Sequence, residues 1–347
     1  MAELYGMSSW GYIALGIGFG FFLLPFLLWL CWRLFVFVLK RKLGGMLAGM
    51  EAMAVPPLRV KLVPQHEVPE WAEQASAKKK MEALSKLGFA HCGDFHVPEA
   101  GPSTIRAYLS SCGTVSAYLC KHPAKPEAFL DLVRVFEDGS SLTVTDAGPS
   151  GLEDCPQHSN IKLTGWSPDK LLQELEERTP DKPVTALSSQ KLGPLYERGY
   201  AEVMDWRVEK GGVSREEMLA NSDKEMTEEE IANALELFRD QHREQLQELL
   251  RIRYTEQANM PVSRWEEVRD RLLFVHDQLD EEEVRALFES AVYWLEGPFP
   301  RPTKTGREGF QQMLNHLPGN LTIEPAGKVE GSIEADVYLL PEEPEDW

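Results

Sequence analysis

The run TIRAYLSSCGTVSAYLCK, residues 104–121, decides the fold. Two stretches rich in β-branched and aromatic residues, 104–111 and 114–121, are separated by Cys112-Gly113, a two-residue turn signal. Apolar side chains recur at alternate positions: Ile105, Ala107 and Leu109, then Val115, Ala117 and Leu119. A period of two sends successive side chains to opposite faces of a sheet, so the spacing predicts an antiparallel hairpin with one face buried.

The same pattern extends outward on both sides. Downstream, AFLDLVRVFE (128–137) and SSLTVTD (140–146) flank Asp138-Gly139, another hairpin signal, and IKLTGW (161–166) supplies a further strand. Upstream lie FAHCGDFHV (89–97) and a short strand within LRVKLVPQH (58–66). A helix is expected over residues 70–87, with Trp71, Ala75, Met81, Leu84 and Leu87 on one face and Gly88 as its left-handed cap. A second helix opens at Ser167 with Pro168 in its first turn and runs through LLQELEER. These elements define an α+β domain, an antiparallel meander with flanking helices, over residues 58–180.

Residues 181–297 read as a helical domain. Tyr196, Tyr200, Val203 and Met204 recur at helical spacing until Gly211-Gly212. Ser or Thr precedes Glu by three residues at Ser214/Glu217, Thr227/Glu230 and Ser263/Glu266, the spacing of a capping box, and Asp280/Glu283 repeats it. The second box opens the longest helix, with Ile231, Leu235, Phe238, His242, Leu249 and Ile252 as its stripe. The third predicts a helix carrying Trp265, Val268, Leu272, Val275 and Leu279, and the last one ending at Gly297. Amphipathic helices joined by short loops predict an antiparallel bundle. Residues 298–347 are expected to form a small hairpin turning at Ala326-Gly327 and an acidic tail.

Ahead of all this stands WGYIALGIGFGFFLLPFLLWLCWRLFVFV, and no charged side chain occurs from Tyr12 to Trp32. A run of that length spans a hydrocarbon core of about 30 Å, so residues 10–39 are expected to form one transmembrane helix. The n-region lacks Lys and Arg, unlike a signal peptide. Arg33, Lys40, Arg41 and Lys42 all follow the run, which puts residues 1–9 outside and the bulk of the chain in the cytoplasm, at the inner (plasma) membrane. Ala14, Gly16, Gly18 and Gly20 form small-xxx-small pairs, a pattern that lets helices pack closely in lipid, and Pro25 introduces a kink. Residues 40–57 form a basic and apolar linker ending at Pro56-Pro57.

The chain has 347 residues, and its first 42 carry a surplus of three positive charges, which leaves the rest at −22 against −19 for the whole. An acidic body is repelled by phosphates, so no nucleic-acid partner is expected; plain solubility or a basic protein partner accounts for the charge, and another protein is the expected partner. Five scattered cysteines do not form a disulfide framework.

For chemistry, the densest polar group is His91, Cys92, Asp94 and His96, with Cys120 and His122 further on and Cys155 and His158 beyond. These are candidates for a metal site or a cysteine nucleophile, but no pair has the spacing of a zinc motif and nothing fixes an orienting group, so no metal and no cofactor is assigned. Small buried cysteines and surface histidines account for the same residues. Asp131 and Arg134, three apart on a strand, point to opposite faces. His242, Trp265 and Trp294 read as core residues. No phosphate loop, H-E-x-x-H or G-x-S-x-G occurs. The expectation is an anchored accessory or scaffold subunit; the alternatives are a tethered enzyme with its site in residues 89–122, and a signalling protein acting through Pro25 and residues 43–57.

Overall fold

Strand β1 (Val63–Gln65) leads into helix α1 (Ala75–Lys86), and six strands follow with one helix after them: β2 (Phe89–Val97), β3 (Ser103–Ser110), β4 (Ser116–Lys121), β5 (Phe129–Val135), β6 (Ser141–Thr145), β7 (His158–Lys162) and α2 (Pro168–Arg178). The computed structural model describes residues 56–122, 125–148, 153–221, 227–293, 295, 299–318 and 323–340. Strands β1 to β7 form one sheet in sequence order, antiparallel throughout except for the parallel β6–β7 pair. The chain is mixed α+β, as the alternation in residues 89–146 requires.

The turns follow from their glycines. Phe136 N–H donates to the Ser140 carbonyl and Gly139 N–H to the Phe136 carbonyl, while Gly139 takes φ +85°. That is a three-residue turn with a left-handed glycine, so the Asp-Gly signal is honoured in a longer form than the two-residue turn expected. Gly88, with φ +81°, caps α1 as expected. Pro168 occupies the first turn of α2 behind Ser167, whose side chain makes no capping hydrogen bond.

One expectation for the sheet is overturned. Both of its faces are covered, because register sets which side chains share a face: Ile105 opposes Cys120 and Ala107 opposes Tyr118, so Leu119 and Ala117 lie on the other side. Leu119, Leu130, Leu132 and Val144 meet Leu84 of α1 and Leu171 and Leu175 of α2 in one core. Ile105, Ala107, Tyr118 and Cys120 meet Val60, Leu62 and Leu192 in another. Strand β4 is accordingly buried from Ser116 to Cys120.

Helices α3 (Leu192–Glu209), α4 (Arg215–Asn221), α5 (Glu228–Ala258) and α6 (Val262–Val268) come next, then strand β8 (Leu272–His276) and helices α7 (Glu281–Ala291) and α8 (Gly306–Leu314), and last β9 (Glu324–Val329) and β10 (Ala335–Leu339). The capping boxes at Thr227/Glu230 and Asp280/Glu283 are formed in both directions, as is the reciprocal pair at Ser214/Glu217. Ser263 lies inside α6, which starts behind Pro261, so the third box is not a cap.

The all-helical reading of residues 181–297 is corrected at Leu272–His276. This stretch is a strand, and it pairs antiparallel with β10, which pairs in turn with β9. The C-terminal hairpin is therefore part of a three-stranded sheet. Its turn comes after Val329, and Ala326-Gly327 lies within β9, where the register shifts. Every residue of β8 is buried, with Phe274 against α5 on one side and Val275 against α7 on the other. A continuous apolar run buried on both faces lacks the two-residue alternation that marks a strand.

Residues Pro57–Trp347 form one compact unit. Within it α3 serves two cores: Leu192 belongs to the core on the seven-stranded sheet, while Met204 and Val208 pack with Leu246, Leu249 and Leu250 of α5. The chain entering the unit is fastened along α3. Tyr200 Oη donates to the Pro57 carbonyl at 2.9 Å, Arg59 forms a two-pronged pair with Asp205 at 2.6 and 3.1 Å, and Leu62 N–H donates to Glu197 at 2.7 Å. Residues 1–39 and the basic cluster at 40–42 lie outside the described residues, as do Trp294, Gly297 and the acidic tail.

Candidate functional site

The Cys/His residues are dispersed by the sheet. His91 and Cys92 are neighbours on β2, Cys120 is on β4, and β3 runs between them. His91 is exposed, with Nε2 3.3 Å from Asp94 Oδ1 and its ring 5.3 Å from that of Tyr108. Asp94 is taken by Arg106 at 2.8 Å. His96 sits opposite Thr104 at the far end of β2. His122 follows the end of β4, where partial burial and Lys125 and Lys121 hold its pKa below the ordinary value. Among the described residues no three His, Cys, Asp or Glu side chains converge as metal ligands do. Both thiols are held protonated: burial raises Cys92, and burial together with the nearby Asp131 carboxylate raises Cys120 well above its usual range. That is the opposite of what activates a cysteine nucleophile.

His242 Nε2–H donates to the Val208 carbonyl, 2.8 Å away, and bridges α5 and α3. Trp265 is half-buried against the core of α3 and α5. Arg134 turns toward α2, pairing with Glu176 at 2.5 Å, and Asp131 faces the opposite way. His158 bonds Ser141 at 2.9 Å and lies 3.0 Å from Glu202 of α3, while Cys155 is buried.

Asp131 and His158 open onto the same place. Between α3 and the β4–β7 half of the sheet lies a cavity of about 480 Å³, lined from the sheet by Tyr118, Asp131, Thr143 and Asn160 and from α3 by Tyr196 and Tyr200. Strand register builds its floor in rows. Tyr118 stands beside Asp131, Val133 beside Thr143 and Asn160, and Val135 beside Ser141 and His158. The face that is apolar over β1–β4 thus becomes polar over β5–β7, and α3 covers the transition.

The electrostatics of this floor centre on one half-buried acid. Burial pushes Asp131 up to about 6, against stabilisation from the Thr145 hydroxyl and the more distant Lys125 and Lys80. The Thr145 hydroxyl and, at 4.0 Å, the Cys120 thiol are its side-chain neighbours, and no cation pairs with it among the described residues. Burial also pushes Tyr118 and Tyr200 up to about 12. Their hydroxyls are engaged, Tyr118 with the Leu192 carbonyl at 3.1 Å and Tyr200 with that of Pro57. Tyr118 and Tyr196 meet edge to face at 5.1 Å. Asn160 Oδ1 is buried and accepts no hydrogen bond from the described residues.

Most of these lining residues escape sequence reasoning. Tyr196 and Tyr200 read as a core stripe, Thr143 falls between apolar positions of SSLTVTD, and Asn160 lies just ahead of the strand expected over 161–166. The available signal was Asp131, a carboxylate set between Phe129-Leu130 and Leu132-Val133. No family model matches the chain, and neither the curated proteins nor the solved structures contain a significant match to it.

Proposed function

We propose that this chain is a single-pass membrane protein whose acidic body works in the cytoplasm as an accessory or scaffold subunit, holding a protein partner at the membrane. The observation that carries the reading is the charge-free run from Tyr12 to Trp32 with Arg33, Lys40, Arg41 and Lys42 on one side of it only. Among the described residues no helix is long and apolar enough to cross a membrane, and the run itself lies outside them. The small residues Ala14, Gly16, Gly18 and Gly20 offer a face for a partner helix in the bilayer.

Two measurements test this. An impermeant thiol reagent on intact cells should label an introduced Ser8→Cys and leave an introduced Ser332→Cys unlabelled; the reverse pattern overturns the topology. Gentle solubilisation should bring down a stoichiometric partner, and a lone monomer at native abundance would end the scaffold reading.

A further inference from the structure

We propose that the cavity beneath α3 is a binding site for a small organic cation, an amine carried on an aromatic body with a hydrogen-bond donor at its far end. The inference concerns the body alone and does not depend on the membrane reading.

Four features of the cavity select that chemistry. The first is an acid without a counter-ion: Asp131 forms no ion pair among the described residues, and the two other acids on the lining, Glu137 and Glu202, stand nearer the surface. A carboxylate half-buried in this way is best compensated by a ligand ammonium, which supplies both charge and donors. The second is aromatic surface. Tyr118, Tyr196 and Tyr200 border the cavity, and with the hydroxyls of Tyr118 and Tyr200 committed to backbone carbonyls it is ring surface that they present. Ring faces attract cations and pack against an aromatic body.

The third is the orphan acceptor. Buried polar atoms are almost always paired, yet Asn160 Oδ1 has no partner in the chain as described. It stands two strands and one row from Asp131, roughly 12 Å between Cα atoms at ordinary sheet spacings. A ligand with donors at its two ends spans the gap between the side chains. The fourth is the state of the basic groups. His158 gives Nδ1 to Ser141 and has Nε2 3.0 Å from Glu202 without hydrogen-bond geometry, two rows from Asp131, and Arg198 is exposed at the rim, so an anion entering the cavity would meet Asp131 at its floor with no cation paired to it among the described residues. The size is suitable too: a cavity of about 480 Å³ falls within the ordinary range for small-molecule sites.

Tyramine is the probe, since it carries an ammonium, an aromatic ring and a phenolic donor at the far end. Isothermal titration of the full chain in detergent micelles should show saturable binding of one tyramine per chain. Phenethylamine, which lacks the phenol, should bind more weakly, and para-hydroxyphenylpropionate, the matched acid, at least about tenfold more weakly than tyramine. Asp131→Asn should weaken tyramine by about tenfold or more, since it keeps the shape of the side chain and removes the charge. Asn160→Ala should cut the advantage of tyramine over phenethylamine. The ligand comparison on the unaltered chain stands even if a variant misfolds. Equal or tighter binding of the acid, no saturable binding of either amine up to millimolar concentration, or an Asp131→Asn chain that binds tyramine unchanged would each overturn the proposal. Success or failure here leaves the labelling and co-purification tests untouched.

Discussion

Replacing Phe274 by Ala tests the strand that sequence periodicity assigns to a helix. Phe274 is 1% exposed, opposes Val337 on β10, and meets Tyr254 of α5 edge to face at 5.8 Å. Truncating a buried Phe leaves a cavity and costs about 3–5 kcal/mol, of which the aromatic pair accounts for about 1 kcal/mol. Set against a net stability of roughly 5–15 kcal/mol, that is a large fraction of the total. Urea unfolding of the purified chain, followed by tryptophan fluorescence, should show a midpoint lowered to match. Val275→Ala, on the opposite face of β8 in the core with Val284 and Phe288, should cost about 2 kcal/mol as well. A helix over this stretch would bury Leu272, Val275 and Leu279 and turn Phe274 away from the stripe, so its truncation would cost under about 1 kcal/mol. A loss that small at Phe274 would refute the three-stranded sheet.

Asp131→Asn should stabilise the chain near neutral pH. Between the ordinary value of 3.8 and about 6 the folded chain keeps a proton that the unfolded chain has lost, so stability falls as pH rises through that window. The gain from Asn is at most about 3 kcal/mol at neutral pH and vanishes below about pH 4; urea midpoints across that range read it, and a loss at neutral pH would refute the description of a half-buried acid. Hydrogen bonds from the Ser110 and Thr114 hydroxyls bring the exposed Cys112 thiol down to about 7, so iodoacetamide should label it ahead of Cys92, Cys120 and Cys155, with peptide mapping as the readout. Gly309→Ala places a Cβ against the Lys304 carbonyl, a backbone group that cannot swing aside, and a melting curve should show a loss of more than about 2 kcal/mol.

The sequence by itself determined the local elements. Alternation and turn glycines placed strands β2 to β6, Gly88 and Pro168 placed the ends of two helices, and the spacings Thr227/Glu230 and Asp280/Glu283 placed two helix starts. Each signal works over a few residues through dihedral preference or a local hydrogen bond, so a linear reading recovers it. Only the tertiary structure decided what covers each face. Leu272–His276 is a strand because β10 supplies its hydrogen bonds and two cores bury both its sides, and no local pattern records a partner more than fifty residues away. The candidate site follows the same rule. Asp131 and Thr143 each sit between apolar neighbours and Asn160 precedes the expected strand, and they became the floor of a cavity when α3 lay across them, held there by Leu192 and by the clamp on residues 57–62. Burial, which turns a surface carboxylate into a half-buried acid, is a property of the assembled elements and of none of them alone.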